Sequence, residues 1–237
     1  MLSPTLQTTV ELRPGAILCG KYELVRLCGQ GGSGSVFEAR HLEINKPVAI
    51  KVLPRSSTGD ILVHREALAG AIQSRHVVQI FDIAEDEPYD VRLVVMELLY
   101  GASLSTILAK QPRLEEDEAV TVLRHTLTGL ERAHERGIVH GDLTPGNLYC
   151  ERTVDSERVV ILDFGIAHTT TSTSGTKALG GTPLWMGPDA AFGRNLRWTA
   201  DTWPLGLLAY FMLIGEPYLA VRSIKELAPL WLDEHRA

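Results

Sequence analysis

Six short motifs occur in one order along the 237 residues of this chain, and they constrain its fold more than any other feature. In order they are GQGGSGSV at 29–36, VAIK at 48–51, the carboxylate of Glu66, HGDLTPGN at 140–147, DFG at 163–165 and GTP at 181–183. One glycine-rich stretch taken alone is weak evidence of any fold. Six motifs in this order are not expected by chance, so a single fold must account for all of them.

The set resembles the eukaryotic-type protein kinase family, and in particular its bacterial serine/threonine kinases. The resemblance extends from about residue 22 to about residue 218. It implies an α+β, bilobal kinase-like fold with a small antiparallel β-rich N-lobe that carries one helix. The larger, mainly helical C-lobe would be truncated at its C-terminal end. The implied organisation is a leader at 1–20, an N-lobe at 21–100 and an incomplete C-lobe at 101–237.

The residue patterns agree with two unequal parts. Short runs rich in β-branched residues, broken by glycine, asparagine or aspartate, predict antiparallel strands at 22–27, 35–39, 47–52, 79–83 and 92–96. A helix that carries Glu66 is predicted at 61–73. Beyond Gly101 the pattern becomes helical. Val120, Leu123, Leu127 and Leu130 recur at the spacing of a helix, and Gly137 stands where that helix would stop. A strand is predicted at 158–162, directly before Asp163.

Composition excludes some classes of function. A net charge of −6 argues against a nucleic-acid binder, which normally has a basic face. The apolar run at 205–214 is too short to cross a bilayer. Residues 1–11 lack the basic and apolar regions of a secretory signal. We therefore expect a cytoplasmic protein with no membrane insertion.

The glycine-rich loop is suited to holding phosphates. Gly29, Gly31 and Gly34 lack a Cβ, so the backbone can fold tightly over a triphosphate and direct N–H groups at its oxygens. An ordinary hairpin turn is the simpler interpretation of the loop alone. A dinucleotide-binding fold would need a helix after the glycines, whereas residues 35–39 have the pattern of a strand.

Lys51 ends an apolar strand, where a solvated lysine would be unusual. The resemblance implies that Lys51 holds the α- and β-phosphates of ATP and that Glu66 fixes the position of the Lys51 side chain. Together with the glycines, these two residues are the predicted phosphate-binding part of the site.

The resemblance also implies where the rest of ATP would bind. Adenine needs an apolar slot with a polar edge. The residues that would line this slot are Val36, Ala49, Met96, Tyr149 and Leu162. The carbonyl of Glu97 and the amide of Leu99 would bind the purine edge, and the hydroxyl of Ser103 would reach the ribose.

The same resemblance implies which residues carry the catalysis. Phosphoryl transfer needs mainly positioning and charge neutralisation. Asp142 would orient the attacking hydroxyl, while Asn147 and Asp163 would hold Mg²⁺, or Mn²⁺ in its place, against the phosphates. His140 is expected to pack and hydrogen-bond within its loop rather than titrate. Thr182 stands in a segment that resembles the peptide-docking segment of serine/threonine kinases.

Three positions depart from the family pattern. Gly141 stands where most members have arginine, Thr144 stands where lysine is usual, and GPD at 187–189 replaces Ala-Pro-Glu. The phosphate- and metal-binding positions are all kept. These departures support a second hypothesis, a catalytically weak pseudokinase that acts as a nucleotide-binding interaction module.

A third hypothesis is a small-molecule phosphotransferase. The loop at 140–147 also resembles that of aminoglycoside and choline phosphotransferases. The segments at 181–186 and 201–206 favour a protein kinase, because they resemble the peptide-docking segment and the helix that anchors it, which the small-molecule enzymes lack. The leading hypothesis is therefore a bacterial signalling kinase that transfers the γ-phosphoryl group of ATP to Ser or Thr hydroxyls of a protein substrate.

The last expectation concerns the C-terminal end. Kinases of this type usually continue through further helices after the one expected at 201–215, and one of those helices supplies an arginine to the position of Asp189. About twenty residues follow here, so apolar surface is expected to be exposed. We expect self-association, a partner polypeptide that covers the truncated C-lobe, or a fragment of a longer kinase.

Overall fold

The computed structural model describes residues 12–31, 34–55, 63, 67–154, 157–164, 168–169, 182–188, 197–218, 225–227 and 229. The chain forms two compact units. The first comprises Met1–Val63 and Ile80–Leu98, and the second comprises His64–Gln79 and Leu99–Ala237.

The first unit is built on one antiparallel sheet of six strands in the order β1-β2-β3-β4-β6-β5. The strands are β1 (Ile17–Leu18), β2 (Tyr22–Gly31), β3 (Gly34–His41), β4 (Lys46–Pro54), β5 (Ile80–Asp86) and β6 (Val91–Met96). The five strands predicted from the sequence correspond to β2 through β6, and their antiparallel pairing is confirmed.

The first strand lies in the segment that was expected to be a leader. Ile17 and Leu18 pair with Glu23 and Tyr22 of β2, and Leu18 is fully buried. The expectation of a leader through residue 20 is therefore wrong for this part of the chain. The physical reason is that an apolar side chain at position 18 is buried in the core on one face of the sheet.

The central strand β4 is buried on both faces. Six successive residues of this strand, from Val48 to Leu53, are buried. One face of the sheet covers a core cluster that contains Tyr22, Phe37 and Ile50. On the opposite face, Leu53 packs in a second cluster. Burial on both sides explains why the sequence of β4 is a nearly continuous apolar run.

The second unit combines helices with two small sheets. Its elements are β7 (Gly101–Ser103), α1 (Leu104–Lys110), α2 (Glu116–His134), β8 (Ile138–Val139), β9 (Leu148–Arg152), β10 (Glu157–Ile161), β11 (His168–Thr169) and α3 (Thr199–Ile214). The strand orders are β10-β9-β7 and β11-β8. Short 3₁₀ turns lie at Pro145–Asn147 and Pro183–Trp185. The predicted α+β class is confirmed.

The long helix α2 buries only part of the apolar stripe predicted from its sequence, since Leu130 is buried but two of the other three residues are exposed. Val120 and Leu127 are 53% and 52% exposed. The buried residues are Ala119, Val122, Thr126, Gly129, Leu130 and Ala133. Small residues on this buried stripe let the helix approach the segment beside β10. A Cβ at Gly129 would lie 2.7 Å from the carbonyl oxygen of His76, which accepts the N–H of Ile161 in β10. The helix ends at His134, and Gly137 follows in a turn with φ of +69°.

The helix predicted at 61–73 is shorter at its C-terminal end. Residues 67–69 are helical, but residues 70 and 71 form a turn and residues 72 and 73 have no regular structure. The N–H groups of Gly70, Ala71 and Ile72 each donate to the carbonyl three residues earlier, which tightens and ends the helix. The predicted end at residue 73 is therefore wrong.

The apolar run at 205–214 forms most of α3, with Pro204 in the early part of the helix. Within the part of the chain that the structure describes, no helix has the length and hydropathy needed to cross a membrane.

Candidate active site

The glycine-rich stretch lies at the end of β2 and the start of β3, which pair with each other. Gly29 pairs with Val36, and Gly31 pairs with Gly34. Gly34 has φ of +122°, and a Cβ there would lie 2.4 Å from the carbonyl oxygen of Val52, so no larger residue fits. A strand follows the glycines, which excludes the dinucleotide-binding alternative. A Cβ added at Gly29 would meet no other atom within 4 Å, so there is open space beside this residue.

The sheet brings four predicted nucleotide-binding residues to one face. Ala49 and Lys51 alternate along β4 and therefore face the same way. Val36 of β3 is the Cα partner of Lys51, and Met96 of β6 is the Cα partner of Ala49. Lys51 is only 5% exposed. An apolar face with one buried lysine is the arrangement that the predicted adenine and phosphate contacts require.

The predicted contacts of three other residues stay predictions. Glu66 lies outside the described residues, so its pairing with Lys51 stays a prediction. Glu97 and Leu99 lie in the irregular segment after β6 and are half-buried. Their predicted contacts with the purine edge also stay predictions.

Tyr149 and Ser103 are partners in the small sheet of the second unit. The Tyr149 hydroxyl donates to the carbonyl oxygen of Gly101 at 2.9 Å. The Ser103 hydroxyl accepts the N–H of Thr106 at 3.2 Å and thereby caps the N-terminus of α1. Ser103 therefore has a structural role beside its predicted contact with the ribose.

His140 is fully buried and organises its loop through both ring nitrogens. Its Nε2–H donates to the carbonyl oxygen of Leu162 at 2.9 Å, and its Nδ1 accepts the N–H of Asp142 at 3.2 Å. The ring packs edge-on against Phe164 with centroids 4.7 Å apart. The expectation that His140 packs and hydrogen-bonds within the loop is confirmed.

Hydrogen bonds connect the segments that carry the predicted catalytic and metal-binding residues of the second unit. The Thr182 N–H donates to Asp142 Oδ1 at 2.9 Å, which orients the carboxylate. Asn147 Nδ2 donates to the Asp142 carbonyl oxygen at 2.8 Å. The Leu162 N–H donates to the Asn147 carbonyl oxygen at 2.8 Å, so Asp163 follows immediately beside Asn147. Asp163 has φ of +59°, an uncommon conformation that aspartate tolerates better than most residues.

The sequence did not predict the role of Asp201, which holds the catalytic loop in place. Asp201 lies in the first turn of α3 and is fully buried. Its carboxylate accepts the N–H of His140 at 3.0 Å, the N–H of Gly141 at 2.8 Å and the Nε2–H of His134 at 2.7 Å. Its one signal in the sequence is a carboxylate directly before a long apolar run. A buried carboxylate with three donors fixes the backbone that carries Asp142.

Comparison with known proteins decides the family. The model of the protein kinase domain matches residues 22–234. The chain belongs to the protein kinase family. Three relatives illustrate this. Serine/threonine-protein kinase Pkn1 of Myxococcus xanthus is 36% identical over 208 residues, which cover 84% of this chain and 29% of the relative. Serine/threonine-protein kinase pkn3 of the same organism is 33% identical over 213 residues, which cover 85% and 39%.

Serine/threonine-protein kinase PknB of Mycobacterium leprae (strain TN) is 31% identical over 214 residues, which cover 84% of this chain and 33% of the relative. This kinase domain therefore spans between 29% and 39% of the length of these three relatives.

Members of this family use ATP and a divalent metal. Because the Asn147 amide nitrogen is bound to the Asp142 carbonyl, its Oδ1 is the atom suited to a cation, and Asp163 adds a carboxylate. Among the described residues no cluster of three or more His, Cys, Asp or Glu side chains could hold a metal alone. Mg²⁺ commonly binds through one or two side chains together with phosphate oxygens, so this small donor set is adequate.

Two stacked histidines contact the outer edge of β10 in the same unit. The rings of His76 and His125 are 4.3 Å apart and nearly parallel. His76 Nδ1–H donates to the Val159 carbonyl oxygen at 2.9 Å, and the Val159 N–H donates to His125 Nδ1 at 3.4 Å. The His125 ring must be neutral for this arrangement, because a proton on its Nδ1 would face the N–H of Val159.

Burial lowers the pKa of both histidines. For His76 the hydrogen bond to Val159 partly opposes burial, while Arg75, Arg158 and Arg124 lower the pKa further. The pKa of His125 is lowered by burial, then by His76, Arg124 and Arg75, and Glu157 opposes this shift. The folded protein therefore favours the neutral rings more strongly than the unfolded chain does.

We expect the domain to lose stability in mild acid. With folded-state pKa values below the unfolded value of about 6.5, the contribution is fully present above that pH and is lost as the pH falls through the folded values. Urea unfolding at pH 7.5 and at pH 5 should show the smaller free energy of unfolding at pH 5. The variant with His76→Gln and His125→Gln should show a shallower pH dependence, and an unchanged slope would contradict this origin.

Proposed function

We propose that this domain transfers the γ-phosphoryl group of ATP to Ser or Thr hydroxyls of protein substrates in bacterial signalling. The observation that carries the proposal is the loop around Asp142, whose carboxylate is oriented by the Thr182 amide and whose backbone is fixed by buried Asp201. A carboxylate held in this way can orient a substrate hydroxyl for attack. The relatives that carry the name serine/threonine-protein kinase support the acceptor type.

Each group has a defined task in this proposal. Lys51 and the glycine hairpin bind the phosphates, with Glu66 positioning Lys51. Asn147 and Asp163 hold Mg²⁺, which supplies charge neutralisation to the phosphates. Gly141 and Thr144 lie where most kinases have cations, yet Gly141 donates its N–H to Asp201 and so contributes to the loop through its backbone.

The two other hypotheses have less support. A small-molecule phosphotransferase does not account for the match to the protein kinase model over residues 22–234. A pseudokinase would be expected to lack at least one phosphate- or metal-binding residue, whereas Lys51, Asn147 and Asp163 are all present.

The proposal is tested by incubating the chain with γ-labelled ATP, Mg²⁺ and a generic basic protein, with choline and an aminoglycoside in parallel reactions. We expect label in the protein and none in the small molecules. Label in a small molecule alone would support the phosphotransferase hypothesis. No transfer together with ATP binding, measured by calorimetry, would support the pseudokinase hypothesis.

A matched set of peptides that differ in the acceptor residue tests the type of hydroxyl. We expect Ser and Thr peptides to be phosphorylated at least about tenfold faster than the Tyr peptide, because Thr182 lies against Asp142 and its segment resembles that of serine/threonine kinases. Phosphoamino-acid analysis of the labelled basic protein checks the result independently. Predominant phosphotyrosine would contradict the assignment.

Association with a second copy or another polypeptide stays a prediction. It is supported by exposed apolar side chains on and after α3, including Trp203, Leu213, Ile214 and Tyr218. A cytoplasmic location likewise stays a prediction.

A further inference from the structure

One face of α2 carries apolar side chains that the core does not cover. Val120 and Leu127 are 53% and 52% exposed, and Leu123 between them is half-buried. These residues occupy positions i, i+3 and i+7, so they form one continuous stripe along the helix, the outer stripe of α2. An open groove of about 490 Å³ runs beside this stripe, and all the lining residues that the structure describes belong to α2. The outer stripe is therefore accessible to a complementary surface.

Two opposite charges flank the outer stripe on the same side. Arg124 and Glu131 both line the groove and are both exposed. They are seven residues apart, which is nearly two turns, so their side chains leave the helix in almost the same direction. Their levels along the helix axis differ by about 10 Å, and Leu127 lies almost midway between them. One flank of the stripe thus has a positive and a negative group at similar distances on either side of Leu127.

This arrangement is complementary to a second copy of itself. A two-fold axis at Leu127, perpendicular to both helices, reverses the direction of α2 but keeps each flank on its own side. Arg124 of each copy then faces Glu131 of the other copy, and the two Leu127 side chains meet. The acidic first turn of one helix also lies toward the basic last turn of the other. A parallel pair would instead place like charges beside each other, which is unfavourable.

We propose that two copies of this chain associate through their α2 helices, which pack antiparallel along their outer stripes about a two-fold axis at Leu127. The apolar contact contributes most of the stability, because side chains of both outer stripes leave water. The two reciprocal Arg124–Glu131 pairs fix the direction and the register of the helices. One helix pair is a small interface, so we expect association in the micromolar range. The proposal is independent of the proposed function, because it uses no residue of the candidate active site.

Sedimentation velocity over a range of chain concentrations measures this association. We expect a monomer–dimer equilibrium for the unmodified chain. Leu127→Asp should weaken dimerisation at least about tenfold, because it removes two leucines from the centre of the contact and places two carboxylates there. Leu42→Asp is the matched control, since Leu42 is also an exposed leucine, at 39%, but lies in the first unit. This control should leave the dimerisation unchanged.

Charge reversal tests the antiparallel register. Arg124→Glu and Glu131→Arg should each weaken self-association about tenfold, because like charges then face each other at both pairs. An equimolar mixture of these two variants should recover dimerisation, since opposite charges again face each other at both pairs. Both substituted positions are exposed, and thermal unfolding checks that each variant is folded. Leu127→Gln replaces Leu127→Asp if that variant does not fold.

Three results would overturn the proposal. A monomer at every concentration excludes a second copy as the occupant of the outer stripe. A dimer that the substitution at Leu127 leaves intact must use another surface, such as the exposed apolar side chains of α3. A dimer that depends on Leu127 but is not recovered in the mixture of the charge variants does not have the antiparallel register.

Discussion

Asp163→Asn is expected to lower the rate of phosphoryl transfer about a thousandfold or more while the protein stays folded. The substitution removes one negative charge from the proposed metal site, and charge neutralisation in such a site is worth several kcal/mol of barrier. Asparagine is the right replacement because Asp163 has φ of +59°, which asparagine adopts with little strain. Lys51→Met should have a similar effect, since it removes the buried charge but keeps an apolar stem.

The chain offers a matched control for each substitution. Asp90 also has positive φ, of +52°, but is exposed in the turn between β5 and β6, so Asp90→Asn should leave the rate unchanged. Lys46 begins the same strand as Lys51 and is exposed, so Lys46→Met should also be active. Steady-state transfer rates and thermal unfolding of all four variants test this. Near-normal activity in Asp163→Asn or Lys51→Met would remove the site assignment.

Asp201→Asn is expected to destabilise the second unit by about 3 kcal/mol and to reduce activity as well. The amide nitrogen that replaces one carboxylate oxygen would face N–H donors, so at least one buried donor would lose its partner. For a chain of this size, about 3 kcal/mol corresponds to a fall in Tm of roughly 6–12 °C. The donors include His140 and Gly141, which precede Asp142 directly. A displaced Asp142 should lower kcat more than it changes KM for ATP.

Asp117→Asn serves as the control for that variant. Asp117 also lies in the first turn of a helix, α2, but it is exposed. Its loss should cost about 0.3–1 kcal/mol through the helix dipole alone. Thermal unfolding and ATP kinetics of the two variants distinguish the loss of a buried hydrogen-bonded carboxylate from the loss of a surface charge. Equal effects of the two substitutions would show that Asp201 does not have the role described.

The sequence predicted the strands of the first unit well because their signals are local. Alternating and β-branched residues at 35–39 and 92–96 mark β3 and β6 whatever the tertiary contacts are. The sequence predicted the buried face of α2 less well. Of the predicted stripe, Leu130 is buried but Val120 and Leu127 are exposed, because the helix turns its small residues inward so that Gly129 can approach the carbonyl of His76.

The ends of two elements were predicted less well, the start of the first sheet and the end of the helix predicted at 61–73. Leu18 forms a strand only because β2 provides its hydrogen-bond partner. The helix predicted to end at residue 73 stops earlier, where Gly70 enters a tight turn. The first boundary is set by pairing with β2, and the second by hydrogen bonds between backbone groups three residues apart, which leave no side-chain pattern in the sequence.

The sequence by itself determined the family and the candidate chemical groups, because residue type and spacing are properties of the chain. Lys51, Asp142, Asn147 and Asp163 stand in the required order before any folding is considered. Only the tertiary structure revealed which contacts fix the loop that carries Asp142. The donors to Asp201 lie 60, 61 and 67 residues away, and two of them are backbone N–H groups, which carry no sequence signal.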